Sequence, residues 1–394
     1  MPRFVRPSYS PVAALTVLTY FSAASAFAQH PFFTSATALN GQNGIYFSAA
    51  DPVSAAAGAV GYGGGVGGWG AARWAPDGSR FPLGGVPGLA MSESYALGIN
   101  SHGQAVGHAS FVGVGGKHAV RWSADGSATQ LGVLTGYEAD NNFASGINNA
   151  GQSVGWYFRG LYRIAVRWAA DGSVSRLSNP PNDNWGSVAV AINDVGQTVG
   201  NAILGSGMHA VRWEPNGSVR VLSNPPGTQP GDDSDASCIN NAGQAAGQIE
   251  SILYNYKRRA VRWAGDGSAT LLGDVPGYTT RESDADGIDD TGLVVGDAFL
   301  VELNDTRGVI WDRSGNAALL QDVMADGNSW TFRSAFGIDS DGLTIHVLAR
   351  GSKNGGPEGW YFVSAPVPEP IAGALLAFAA AACRRRSPRA PLAA

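Results

Sequence analysis

Short apolar stretches alternate with polar turns along nearly the whole chain. In the clearest unit, residues 144–147 and 153–158 read as two strands joined by the turn Asn148-Asn149-Ala150-Gly151, whose Asn and Gly are typical hairpin residues. Residues 164–168 and 174–177 then predict a third and a fourth strand, connected by an Asp-Gly turn. Each unit is therefore predicted to form one four-stranded antiparallel sheet.

The unit recurs along the chain, and a tryptophan marks it at intervals of 45 to 50 residues. These tryptophans are Trp74, Trp122, Trp168, Trp213, Trp263, Trp311 and Trp360. A period of this length, with several short strands in each unit, is typical of propellers. The sequence thus predicts an all-β propeller of four-stranded blades over residues 29–365. Seven blades is the leading interpretation, and a six-bladed ring or a β-solenoid is the alternative.

The ends of the units carry further predictions about packing. First strands rich in Gly and Ala suit the crowded axis of a ring better than a linear solenoid. The last unit lacks an outer strand, and residues 45–48 are predicted to supply it and close the ring. Because side chains alternate along a strand, Trp168 is expected between blades, with Arg167 partly covered. Cys238 stands where other units have Gly or Ala, so we expect a small buried residue.

Both termini have the composition of addressing segments. Residues 1–28 place Arg3 and Arg6 before an apolar run and end in the small residues Ala26 and Ala28. This order predicts a secretory signal peptide cleaved before Gln29. The protein is therefore expected to be exported.

The C-terminal segment, residues 366–394, has three parts in a fixed order. Its short motif is Val367, Pro368, Glu369 and Pro370, its apolar run is 371–383, and its basic cluster is Arg384, Arg385 and Arg386. This segment resembles the PEP-CTERM sorting signal. The resemblance implies processing by an exosortase-type enzyme at the surface of a Gram-negative bacterium that makes extracellular polysaccharide. Thirteen helical residues reach only about 20 Å, so we expect a transient membrane tether rather than a permanent anchor.

The repeats carry a second resemblance. Gly98-Ile99-Asn100, Gly103-Gln104 and His118-Ala119-Val120-Arg121-Trp122 stand for a pattern that covers roughly residues 92–345. It is similar to the HAF family of extracellular repeats, with Val in place of the family's Phe. The resemblance implies a β-rich extracellular protein and assigns no catalytic residues.

Charge and cysteine content exclude several classes of function. Residues 1–28 and 371–394 contain six of the 26 basic residues and none of the 31 acidic ones, so the remaining chain has a net charge of −11. Nucleic-acid binding is not expected, because it requires cations that neutralise phosphates. The chain has no phosphate loop, zinc-protease helix or nucleophile elbow. We therefore predict neither a catalytic residue nor a bound cofactor.

One concentration of acidic residues is a candidate site. Asp232, Asp233 and Asp235 precede one Ile-Asn motif, and Glu282, Asp284 and Asp286 precede the next unit's Ile-Asp motif. In a propeller these segments converge on one mouth of the channel, where carboxylates can hold Ca²⁺ or attract a cationic or polyhydroxylated ligand. Solvated acidic loops are the leading interpretation, because repeat architecture already explains most of the pattern, and a calcium or ligand site and acid/base catalysis are the alternatives.

Two functional classes follow from these observations. The first is a non-enzymatic surface or matrix protein whose propeller binds extracellular polysaccharide, surface proteins or further copies. The second is a secreted polysaccharide-active hydrolase or lyase, since propellers also support carboxylate chemistry. The similarity between blades favours the first, because an active site breaks the symmetry of a repeat.

Overall fold

The computed structural model describes residues 33–39, 45–46, 53–54, 56–65, 68–138, 141–205, 207–229 and 231–366. The described residues form seven antiparallel blades around a central channel, each of four strands except blade 1, whose inner edge is made of two short strands. The predicted all-β propeller is confirmed, and the ring has seven blades rather than six. The predicted signal peptide and the sorting motif from Val367 onward lie outside the described residues.

In each blade the chain runs from the channel to the rim. The inner strands of blades 2 to 7 are Met91–Ile99, Asn142–Ile147, Asp183–Ile192, Asp233–Ile239, Thr280–Ile288 and Trp330–Ser340. The second strands of blades 1 to 7 are Gly58–Gly65, Ala105–Phe111, Ser153–Arg159, Thr198–Leu204, Ala245–Ser251, Val294–Leu300 and Thr344–Lys353. The third strands are Gly68–Trp74, Val114–Trp122, Tyr162–Trp168, Gly207–Trp213, Lys257–Trp263, Asp305–Trp311 and Gly359–Pro366.

The rim and the first blade complete the ring. The outer strands of blades 1 to 6 are Arg80–Pro82, Ala128–Gln130, Val174–Arg176, Val219–Val221, Ala269–Leu271 and Ala317–Leu319. The inner edge of blade 1 consists of Ile45–Tyr46 and Val53–Ser54, both paired with its second strand. Three 3₁₀ turns, Ile252–Tyr254, Leu320–Val323 and Gly327–Ser329, lie between strands.

The closing strand is Ser35–Ala38, which pairs with Gly359–Pro366 as the outer strand of blade 7. The prediction that residues 45–48 close the ring is therefore wrong, because Ile45–Tyr46 pairs inside blade 1. Both stretches are short and uncharged, so the local pattern could not decide between them. The fully buried Phe33 and Leu39 flank the closing strand. They fix its position in the cores shared with blades 6 and 1.

The core lies between blades. Trp168 is fully buried, and its indole N–H donates a 2.8 Å hydrogen bond to the carbonyl of Gly132, which follows the outer strand of the preceding blade. The same contact recurs at Trp122, Trp213, Trp263 and Trp311. Arg167 donates to the carbonyl of Gly196 in the following blade. The predicted placement of Trp and Arg is confirmed, and the motif that marks each repeat joins it to its neighbours.

Cys238 is buried, as predicted, with its Sγ 3.6 Å from the carbonyl oxygen of Ala246. Within the described part of the chain, no helix is long and apolar enough to cross a bilayer.

Candidate functional site

One mouth of the channel is formed by the repeated Ile-Asn turns, and we call it the Asn mouth. The Asn148 Oδ1 accepts the backbone N–H of Gln152 at 2.9 Å, which closes its own turn. Its Nδ2 donates to Gln152 Oε1 and to the carbonyl of Asn193 in the next blade. The same three contacts recur at Asn100, Asn193 and Asn240. These four asparagines fasten blades 2, 3, 4 and 5 each to the following blade.

A second ring of contacts surrounds the first. The Asn149 backbone N–H and Nδ2 donate to the two carboxylate oxygens of Asp194, each at 2.8 Å. Asn241 makes the equivalent pair of contacts with Asp290 in the following blade. Although a cavity of about 160 Å³ opens here, these polar groups already hydrogen bond to one another. The chemistry of the Asn mouth is structural.

The opposite mouth holds a larger cavity, of about 670 Å³, between blades 5, 6 and 7. We call it the acidic mouth and define it by Asp235, Asp284, Asp286 and Asp297. Asp305, Arg258, Arg333 and Arg350 also line the cavity. Carboxylates from two blades thus face one space large enough for a small molecule or for part of a polymer.

A β-bulge positions the central carboxylate. In blade 6, Ala285 pairs with Gly296 and Gly287 pairs with Val295, so Asp286 is the extra residue between them. Five other inner strands have a bulge at the same place. Bulges redirect side chains without ending a sheet. Only in blade 6 does the described bulge carry a carboxylate.

The register of blade 6 brings two further carboxylates together. Asp284 lies opposite Asp297 on the neighbouring strand. A Cβ on the intervening Gly296 would lie 2.0 Å from the carbonyl oxygen of Asp284. The absence of a side chain at Gly296 therefore allows the two strands to approach, and their carboxylates meet beside Asp286.

Burial and mutual repulsion make these carboxylates weak acids for their type. Burial, together with the charges of Asp297 and Asp284, raises the pKa of Asp286 well above its ordinary range. Burial and the charge of Asp284 raise the pKa of Asp297 to about 6. Among the described residues, no hydrogen-bond donor contributes to the pKa of Asp286. The acidic mouth therefore contains carboxyl groups that the protein itself leaves poorly compensated.

The arginines of the cavity are mostly engaged with other acids. Arg258 pairs with Asp284 at 3.2 Å and with Glu282 at 3.7 Å. Arg333 bonds to Asp305 and Glu358, and Arg350 bonds to Glu358 at 2.8 Å. These pairs define the rim of the cavity and leave Asp286 without an ion pair among the described residues.

The same ring level is aromatic in blades 2 and 3. The positions equivalent to Asp284 and Asp297 are Tyr95 and His108 in blade 2, and Phe143 and Trp156 in blade 3. Tyr95 stacks on His108 at 4.7 Å, and Phe143 stacks on Trp156 at 5.4 Å. Burial lowers the pKa of His108 to about 3, so its ring is neutral. Blades that look alike in sequence therefore differ sharply at this mouth.

The six acidic residues singled out from the sequence do not form one site. Asp235, Asp284 and Asp286 line the cavity. Asp232 accepts hydrogen bonds from Ser251 and Gln229, and Asp233 accepts the backbone N–H of Met208 in the preceding blade. Glu282 pairs with Lys257 at 3.2 Å. No group of three or more His, Cys, Asp and Glu in the described ranges could hold a metal ion, so the calcium interpretation finds no preformed site there.

Sequence reasoning missed Asp297, Arg258, Arg333 and Arg350. The signal for Asp297 was present, because it follows a Gly that recurs in the second strands, and the next residue is His108, Trp156, Asn201 or Gln248 elsewhere. A comparison of that single position across blades 2 to 6 would have shown that it varies while the Gly before it is constant.

No family model matches the chain, and no curated protein is similar to it. Several solved structures are similar in fold. Virginiamycin B lyase from Staphylococcus aureus with quinupristin is 13% identical, covers 84% of this chain and 99% of its own, and has a TM-score of 0.47. An oligogalacturonate lyase with manganese is 12% identical over 85% and 91%, also with a TM-score of 0.47. TolB from Acinetobacter baumannii is 11% identical over 67% and 64%, with a TM-score of 0.40. At these values the likeness concerns the fold alone.

Proposed function

We propose that this chain is an exported, non-enzymatic repeat protein of the cell surface or extracellular matrix that binds a ligand at its acidic mouth. The observation that carries the proposal is the contrast between the two mouths. The Asn mouth repeats the same contacts from blade to blade, whereas the acidic mouth collects different side chains from each blade. Divergence concentrated at one end of a repeat protein is what a binding site requires.

Export and sorting are part of the proposal and rest on the two terminal segments. Removal of residues 1–28 leaves Gln29 as the first residue. Processing at the Pro368-Glu369-Pro370 motif by an exosortase-type enzyme removes the apolar run and the arginine cluster. Mass spectrometry of the protein recovered from the cell surface or matrix tests both cleavages. An intact N-terminus on protein found only inside cells would contradict export.

The ligand is expected to supply what the cavity lacks. Asp286 has no ion pair among the described residues, and the Oδ1 of Asp284 is buried without a hydrogen-bond partner. Buried polar atoms without partners cost free energy until a donor arrives. Hydroxyl groups or protonated amines of an extracellular polymer are donors of the required kind.

A sedimentation experiment tests binding directly. The purified protein is incubated with matrix polysaccharide from the producing organism, with and without Ca²⁺, and both phases are analysed for protein and for polymer length. Co-sedimentation with intact polymer is the expected result. If the protein stays in solution under both conditions, matrix binding is contradicted.

A second candidate is a secreted polysaccharide-active enzyme, and one observation favours it. A carboxyl group whose pKa is near 6, such as Asp297, can donate a proton at neutral pH, as a general acid must. Shortened, soluble polymer fragments in the sedimentation experiment would support this candidate over pure binding. Their loss on Asp297→Asn would assign the proton donor.

A further inference from the structure

Exposed apolar side chains gather on the face that carries the acidic mouth. The hairpins between second and third strands project there, and they expose Leu161 and Tyr162 in blade 3, Leu253 and Tyr256 in blade 5, and Val301 and Leu303 in blade 6. The Asn mouth lies on the opposite face, because each inner strand runs from one face to the other. The acidic face thus combines carboxylates with apolar surface.

Two of these exposed groups form an aromatic platform, defined as Tyr162 and Trp185. Their rings stack at a centroid distance of 5.7 Å with an interplanar angle of 25°. Tyr162 is 53% exposed and Trp185 is 45% exposed. Large aromatic side chains that are exposed to solvent and hold a defined orientation are typical of recognition surfaces.

The platform is held in place by the backbone. Arg163 and Gly186 form a parallel bridge that joins blades 3 and 4 into one sheet, the only such junction among the blades that the structure describes. Gly186 has φ +91°, and a Cβ there would lie 1.8 Å from the carbonyl oxygen of Arg163. The Asp183 Oδ1 accepts the Gly186 N–H at 2.6 Å. The rings on either side of this bridge are therefore positioned by a local structure that other blades lack.

The platform and the carboxylates belong to the same mouth. Trp185 lies three residues before Val188, the position equivalent to Asp235 and Asp284 in their blades. Arg163, next to Tyr162, lies close enough to Asp235 for its charge to oppose the burial that raises the pKa of that carboxyl. A ligand that spans several sugar units can contact both regions.

We propose that the acidic mouth binds an amino-sugar polymer, with the stacked pair of Tyr162 and Trp185 contacting one pyranose ring and Asp284, Asp286 and Asp297 receiving protonated amino groups. The inference rests on the proposed binding function and names its ligand class. The C–H face of a pyranose is apolar and flat, so it packs on an aromatic pair. A protonated amine forms charge-assisted hydrogen bonds with carboxylates, and these are stronger than the hydrogen bonds that neutral hydroxyl or acetamide groups form.

The test compares two oligosaccharides of equal length, one of glucosamine and one of N-acetylglucosamine, by titration calorimetry near neutral pH, where Asp297 with its pKa of about 6 is largely ionised. The two have the same sugar backbone, but only the first carries protonated amines. We expect the purified protein to bind the glucosamine oligomer at least about tenfold more tightly. Equal affinities, or binding of neither oligomer, would overturn the inference.

Variants assign the two contacts. Asp286→Asn is expected to reduce the preference for the glucosamine oligomer over the N-acetylglucosamine oligomer to about twofold. Trp185→Ala is expected to weaken the binding of both oligomers by about fivefold. Asp290→Asn at the Asn mouth and Phe81→Ala on the rim of blade 1 are the matched controls, with no expected effect. Thermal unfolding of each variant checks that it is folded. A preference that survives Asp286→Asn, or affinities unchanged by Trp185→Ala, would contradict the assignment.

The outcomes separate this inference from the proposed function. If the neutral oligomer binds as well as the charged one, the ligand class is wrong while saccharide binding stands. If neither oligomer binds but the protein co-sediments with matrix, the amino-sugar inference fails and the binding function remains. Failure to co-sediment contradicts the proposed function itself.

Discussion

The two mouths of the channel lie at opposite ends of the same inner strands, but their side chains differ in how far they repeat from blade to blade. At the Asn mouth, Asn100, Asn148, Asn193 and Asn240 make the same three hydrogen bonds, one of them always to the next blade. At the acidic mouth, equivalent positions hold Tyr95, Phe143, Val188, Asp235 and Asp284. The repeated asparagines hold neighbouring blades together. The positions that vary between blades lie at the acidic mouth, where a binding site can form without loss of these contacts.

The two mouths also affect stability in opposite directions. Asn148 is buried with its polar atoms hydrogen bonded, which favours the folded state. Asp286 and Asp297 are carboxylates whose ionisation the fold disfavours. Such buried carboxylates reduce the free energy of unfolding. Their presence in a cavity is expected at a functional site, because a protein can gain ligand binding there at a cost in stability.

The largest expected effect on stability comes from deletion of the strand that closes the ring of blades. A chain that begins at residue 41 lacks the closing strand Ser35–Ala38 and the buried Phe33 and Leu39. Loss of two fully buried large side chains alone costs about 5 kcal/mol or more. Denaturant unfolding should show a much lower midpoint than for a chain that begins at residue 29. Equal midpoints would mean that the strand does not close the ring.

The next effect tests the Asn mouth. Asn148→Ala leaves the Gln152 N–H and the Asn193 carbonyl without their partner, so it should reduce the free energy of unfolding by about 2–4 kcal/mol. Asn149→Ala, which removes the side-chain bonds of Asn149 to Asp194 and Ser101, all exposed to water, should cost less than about 1 kcal/mol. Chemical denaturation of both variants measures the difference. Similar losses for the two would show that the buried ring has no special role.

A smaller effect of opposite sign is expected at the acidic mouth. Because the pKa of Asp297 is about 6 in the fold and 3.8 is its ordinary value, its stabilising contribution is present below about pH 4 and is lost as the pH rises through 6. Asp297→Asn should therefore raise the unfolding free energy at pH 8 by about 1–2 kcal/mol and change little at pH 4. Thermal unfolding at both pH values measures it. Destabilisation at pH 8 would contradict the account.

The smallest effect is expected for Asp290→Asn. Other blades carry Asn149 and Asn241 at this position, and the Asp290 side chain contacts only the edge of the Asn mouth. Its stability should stay within about 0.5 kcal/mol of the parent protein. A large change would mean that the charge of Asp290 has a role that the repeat does not explain.

Much of the fold could be predicted because its signals are local. The spacing of the tryptophans predicted the number of blades. The turns that begin with Asn and end with Gly, together with the Asp-Gly turns, predicted the hairpins. The predicted strand 153–158 is observed as Ser153–Arg159, and 164–168 as Tyr162–Trp168. Period-two alternation and turn chemistry depend on neighbouring residues alone, so each repeat specifies its own strands.

The site could be predicted only in part because it depends on register and on contacts distant in sequence. Asp284 and Asp286 stood out as acidic residues, but Asp297 joins them through the pairing of two strands around a bulge. Tyr162 and Trp185 meet through a bridge between different blades. The closing strand was misplaced for the same reason, since its partner lies at the other end of the described chain.

The most direct test of the account is to compare Asp286→Asn with Asp290→Asn in co-sedimentation with matrix polysaccharide. The two variants make the same chemical change at opposite mouths of one channel. The account predicts that Asp286→Asn reduces the bound fraction while Asp290→Asn binds like the parent protein. Equal binding by both variants, or a loss confined to Asp290→Asn, would contradict the claim that the acidic mouth is the functional one.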